Sequence, residues 1–146
     1  MSLKKDTAID SFQSGYNCAQ SVLKAFSEDL NLNEAQALNM ASGFGAGMGR
    51  LQETCGAVTG AFMVIGLYNS LAFQLNESRN DITSKMIQEF ETRFKTKHGT
   101  TACKELLNCD LNTEEGQSMF QEKNLHKKVC QKCITDAVDL LVDVVK

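Results

Sequence analysis

None of the 146 residues is a proline. Proline ends helices more reliably than any other residue, because it lacks an amide N–H and its ring collides with the preceding turn. Without it, every stretch of the chain stays open to helix. No segment alternates apolar and polar residues long enough to make a strand. The expected fold class is all-α. The expectation is a compact single-domain bundle, residues 1–146, of about five to seven helices around a central apolar helix.

The centre of that bundle is the run from Cys55 to Leu75, apolar almost all round. Its stretch from Ala57 to Leu75 is uncharged and just long enough to cross a bilayer. Thr59, Tyr68, Asn69, Ser70 and Gln74 interrupt it, however, and Arg50 and Arg79 flank both sides. A buried core helix fits better than a membrane span. Around it the apolar residues recur at helical spacing. Asp6–Ser14 points Ile9 and Phe12 inward and is interrupted at Gly15. Tyr16–Glu28 carries Cys18, Val22, Ala25 and Phe26 on one face. Asn33 opens a helix with Gln36 as its capping-box partner. Asp81–Lys97 places Ile82, Met86, Phe90 and Phe94 four apart and closes at His98-Gly99. Short helices follow near Cys103–Leu107 and after Thr113, and a last one runs from about Leu125 to Val145.

Six cysteines are many for a chain of this size. The opening MSLKKDTAIDSF is polar, with no apolar core of a signal peptide. A cytoplasmic location is therefore expected, where thiols stay mostly reduced and serve redox or metal chemistry rather than a disulfide framework. A net charge of −3 argues against nucleic acid as a partner, since phosphate binding needs a basic surface.

The strongest local signal is Thr54-Cys-Gly-Ala-Val-Thr-Gly60. Cys55 sits where a glycine-rich loop becomes an apolar helix. Free N–H groups and the positive dipole end of a helix start favour a thiolate there. Gly56 and Gly60 share a face and let a second helix or a substrate come close. The preceding Gly43, Gly45, Gly47 and Gly49 alternate with larger residues and cannot make a comfortable helix. They read as an ordered loop rather than a dinucleotide site, because no strand precedes them. With Arg50 beside it, such a loop could hold an anionic substrate. Cys130-Gln-Lys-Cys133 is a C-x-x-C with Lys127 and Lys128 just before it, and His126 shares its face. Three zinc ligands could come from this segment, with Cys103 or Cys109 as a fourth. The plainer reading makes Cys133 core filling and His126 a solvated helix-start residue. His98 reads as a helix C-terminal cation.

These segments, taken in order, resemble the C_GCAxxG_C_C family of redox-active proteins. The resemblance runs through Gly15-Tyr-Asn-Cys-Ala-Gln-Ser-Val22, Ala41-Ser-Gly-Phe-Gly-Ala-Gly-Met-Gly-Arg50 and Glu53-Thr-Cys-Gly-Ala-Val-Thr-Gly-Ala61. It continues through Cys103-Lys-Glu-Leu-Leu-Asn-Cys-Asp-Leu111 and Val129-Cys-Gln-Lys-Cys-Ile-Thr-Asp-Ala137. It implies that the four family cysteines are Cys18, Cys55, Cys103 and Cys130. Cys109 then falls at a variable position and Cys133 at an apolar one, so the C-x-x-C is a local addition.

The leading expectation is thiol–disulfide redox chemistry, that of a thiol oxidoreductase. Cys55 attacks and Cys18, Cys103 or Cys130 resolves the mixed disulfide. Gly43, Gly45, Gly47, Gly49, Arg50, Gly56 and Gly60 shape the substrate side. No cofactor is required, and the partner is a thiol or disulfide of unspecified identity, with room for a homodimer. The rival is zinc or an iron–sulfur cluster on Cys18, Cys55, Cys103 and Cys130. A third class is an interaction module with inert thiols.

Overall fold

A computed structural model describes residues 3–72 and 77–145. The end of the expected central run, Phe73 to Leu75, lies outside the described residues. The fold is all-α, with no strand among the described residues. Its helices are α1 (Leu3–Gln13), α2 (Cys18–Phe26), α3 (Glu34–Ala41), α4 (Gly56–Ala72), α5 (Glu77–His98), α6 (Cys103–Leu107), α7 (Glu114–Glu122) and α8 (Gln131–Val144). The count among the described residues is eight, one above the upper end of the expected range, because the five-residue α6 stands as a helix of its own. A 3₁₀ turn, Ser42–Phe44, follows α3, and a π-turn, His126–Cys130, leads into α8. No described helix is long and apolar enough to cross a membrane.

Helix α4 is the hub, with α2, α5 and α8 packed on it, while α1 lies on α2 and α8. The apolar face of α2 buries Val22 and Phe26, that of α5 Phe90 and Phe94, and that of α8 Ile134, Val138 and Leu141. Gly60 explains how close α2 can come. A Cβ there would stand 2.9 Å from the Ala19 carbonyl oxygen, so any side chain would push the two helices apart. Local chemistry sets the helix ends. Asn17 and Gln20 close a reciprocal capping box on α2 (2.9 Å each way), and Asn33 accepts from the Gln36 amide at 3.0 Å. Gly99, with φ +83°, follows α5 as expected. His98 at that end stacks on Phe94 and sets Nε2 2.9 Å from the buried Asp136 carboxylate of α8. Lys132 and Lys97 also face Asp136, at 2.9 and 3.6 Å. Burial opposes ionisation of that carboxyl, but the Lys132 hydrogen bond and the surrounding positive charges outweigh it and hold its pKa below the ordinary value.

The segment 99–125 is packed more lightly. Cys103, Leu107, Leu111 and Leu125 form a small cluster apart from the main core. This segment is joined to the loop before α4 by polar contacts. A single antiparallel bridge pairs Thr54 with Ala102. The Cys55 amide donates to Thr101 O and the Cys103 amide to Glu53 O, each at 2.7 Å. The Gln52 side chain accepts from the Leu111 amide (2.8 Å) and donates to Cys109 O (2.9 Å).

Candidate functional site

Of Cys18, Cys55, Cys103 and Cys130, three stand at helix starts, and the fourth, Cys130, stands where a helix changes pitch. Cys18 is the first residue of α2 and Cys103 the first of α6. Cys55 directly precedes α4, accepting the Val58 and Thr59 amides on its carbonyl at 2.9 and 3.1 Å. Cys130 closes the π-turn, where the helix continues into α8 without free N–H groups, since the Gln131 amide is taken by His126 O. The Thr54–Ala102 bridge puts Cys55 and Cys103 side by side, and the α2–α4 approach brings Cys18 beside Gly56.

All four open on one cavity of about 360 Å³, and Cys133 joins them in its wall. All six cysteines are free thiols. Cys18, Cys55, Cys103 and Cys133 are less than a tenth exposed, while Cys130 is half-buried. Thiol contacts run from Cys130 to Cys18, from Cys18 to Cys55, and from Cys55 to Cys133. The contacts from Cys133 and then Cys18, with the backbone N–H groups of Ala57 and Val58, hold the Cys55 pKa well below the ordinary thiol value, against the opposing effect of burial. The neighbours move the other way. Contact with Cys130, then Cys55, together with burial, raises Cys18. Contact with Cys55, then burial, raises Cys133. Burial and the nearby Cys55 and Cys130 push Cys103 up to about 12. A thiol with a lowered pKa is thus in contact with two thiols, Cys18 and Cys133, whose pKa values are raised. Among the described residues, no group of three or more His, Cys, Asp or Glu side chains is arranged to hold a metal ion.

Residues 16–144 match the sequence model of the family described as "Putative redox-active protein (C_GCAxxG_C_C)". The chain belongs to this family. No curated protein and no solved structure matches it. The match spans all five cysteines that line the cavity.

The glycines divide. Gly47 and Gly56 line the cavity together with Arg50; Gly43, Gly45, Gly49 and Gly60 do not. Gly45 packs under Asn17 and Gly60 under Ala19, so both serve packing rather than the cavity wall. The loop is ordered, and its handedness is unusual. Ala46, Gly47, Met48, Gly49 and Arg50 all have positive φ, between 50° and 70°. Five consecutive residues therefore turn left-handed. Gly47 cannot be replaced without strain, because a Cβ there would lie 2.5 Å from Gln52 Cα.

Two residues matter more than their sequence signal suggested. Cys133, expected as core filling, is indeed almost fully buried (1% exposed), yet it touches Cys55. His126, expected as a solvated helix-start residue, is exposed as a whole, but its ring stacks on Phe12 at 3.9 Å and lines the cavity. Its place on the Cys130 face was the available clue. Cys109 lies outside the cavity wall, and burial, then Cys130, raises its pKa.

Proposed function

We propose that the chain works as one helical unit, a cytoplasmic thiol–disulfide oxidoreductase with Cys55 as the attacking thiol. The observation that carries this reading is the Cys55 environment. It is a thiol held toward thiolate at the base of a cavity, with two further thiols in contact. A thiolate attacks a disulfide, and an adjacent thiol then resolves the mixed disulfide. Cys18 and Cys133 touch Cys55 and are the resolving candidates; Cys130, the more exposed thiol, touches Cys18 and can pass the disulfide outward. The rival reading, zinc or an iron–sulfur cluster on Cys18, Cys55, Cys103 and Cys130, shares the same convergence. Among the described residues, no three of these donors are arranged to hold a metal ion.

The test is to purify the protein with chelator, record its helical circular dichroism, and titrate it in a glutathione redox buffer. The expected result is a folded, metal-free protein that takes up two or more oxidising equivalents reversibly. Peptide mapping should show Cys55 bridged to Cys18 or Cys133, and Cys55→Ser should lose that bridge. Collapse of the helical signal on chelation, with about one zinc per chain beforehand, would overturn the reading in favour of a structural metal site.

A further inference from the structure

We propose that the site acts on a small organic disulfide with an apolar body and a single carboxylate, rather than on a protein disulfide. This substrate class rests on the oxidoreductase reading above, and four features of the cavity point to it. Depth comes first. Cys55 is only 6% exposed and Cys133 1%, so a disulfide flanked by protein backbone has no direct approach to either sulfur and could meet only the half-buried Cys130, whereas a small ligand can enter the cavity. Size comes second. About 360 Å³ is at the low end of ligand pockets and suits a small molecule.

The walls are the third feature. Leu106, Leu107, Leu111, Phe120 and Val129 present apolar surface around the thiols, which favours an alkyl body over a heavily charged peptide. The fourth is charge. No Asp or Glu lines the cavity, while Arg50 does. Arg50 is exposed, and no carboxylate among the described residues pairs with it. Its backbone is fixed: φ is +63°, and its carbonyl accepts from Asn112 Nδ2 at 3.0 Å. A cationic side chain carried on a fixed backbone beside an apolar pocket suits one carboxylate on a ligand whose sulfurs reach the buried thiols.

The chemistry balances with the ligand as oxidant. Cys55 Sγ attacks one ligand sulfur, the ligand S–S bond breaks, and its other sulfur leaves as a thiolate. A resolving thiol, Cys18 or Cys133, then attacks Cys55 Sγ and displaces the first ligand sulfur. Two electrons pass from the protein thiols to the ligand. Its two thiolates take up the proton of the resolving cysteine and one from water.

Lipoate is a suitable probe, being a cyclic disulfide with a short alkyl tail and one carboxylate. Lipoamide keeps the body and replaces the charge with a neutral amide, and cystamine is a cationic disulfide. The full chain is mixed anaerobically with each probe, from the reduced protein with the disulfide and from the oxidised protein with the reduced probe. The two-mass-unit change is followed with time. The expected order is lipoate, then lipoamide, then cystamine, with lipoate about two- to fivefold faster than lipoamide at low salt, the size of one exposed charge pair. Arg50→Gln should bring the lipoate-to-lipoamide ratio toward one, and Arg50→Lys should restore part of it, with circular dichroism verifying the fold of both. Equal rates for lipoate and lipoamide, or a ratio unchanged by Arg50→Gln, would overturn the substrate class. If dithiothreitol equilibrates with Cys55 but no lipoyl probe does, the substrate class fails and the oxidoreductase reading stands. If no disulfide exchanges with Cys55, both fail.

Discussion

The two sides of the cavity are built differently. One side is the bundle of α2, α4 and α8, which sets Cys18, Cys55 and Cys133 on helices sharing a continuous apolar core. The other is the segment 99–125, which carries Cys103 on a five-residue helix and rests on four buried apolar residues plus polar stitching through Gln52 and the Thr54–Ala102 bridge. The rigid side holds Cys55 and both thiols in contact with it. The light side supplies the cavity's apolar cover. Local opening follows contact density, so the cover should open while the thiol row stays in place.

Substitutions on the two sides should therefore have separate effects. Phe94→Ala in the main core should cost about 3–5 kcal/mol, the range for removing a buried phenylalanine, and lower the thermal midpoint of the whole protein. A loss under about 1 kcal/mol would mean the bundle is not the rigid half. Leu111→Ala should cost about 2–3 kcal/mol and act locally. Hydrogen exchange should quicken at the Cys55 and Cys103 amides and stay slow along α4; equal acceleration in α4 would erase the distinction. Gln52→Ala removes both side-chain bonds across the seam and leaves the buried Leu111 amide unpaired. We expect about 1–3 kcal/mol, seen as a lower denaturant midpoint with an unchanged slope.

The remaining effect is in the response to alkali. Cys103 is raised from 9.0 to about 12, so its contribution is fully present below pH 9 and lost as pH rises toward 12. Stability should fall across that window, and Cys103→Ser should make the fall shallower. Cys55 has the opposite sign. Its lowered pKa adds stability above the ordinary thiol value, which is lost as pH falls through the folded value. Iodoacetamide should accordingly modify Cys55 first at mildly acidic pH. Labelling of Cys55 only after denaturation would return it to inert core.

Much of the rigid half was legible in the sequence. The apolar stripe of Cys18, Val22 and Phe26, the four-residue spacing through Phe90 and Phe94, and the caps at Asn33 and Gly99 are local signals, and each decides a local outcome. The helix start at Cys55 was legible for the same reason. The contact of Cys133 with Cys55 was not, because it depends on how α8 crosses α4, and the apolar stripe marks Cys133 only as inward. The closing helix, read as one from Leu125, begins with a π-turn, whose wider hydrogen bonding leaves no residue signature. The seam through Gln52 joins residues 57 and 59 positions apart, and a lone glutamine between a loop and a helix gives no hint of it.

The left-handed turn has a consequence for how this chain can change over generations. Each L-residue wound in that sense costs about 1–2 kcal/mol that glycine would not. Yet Ala46, Met48 and Arg50 alternate there with glycines, and two of the three line the cavity. Selection for durability alone would replace all three with glycine. Glycine at Ala46 or Arg50 would relieve that strain and strip a side chain from the cavity wall, whereas glycine at Met48, which lies off the wall, offers a hardier descendant one substitution away with the pocket intact.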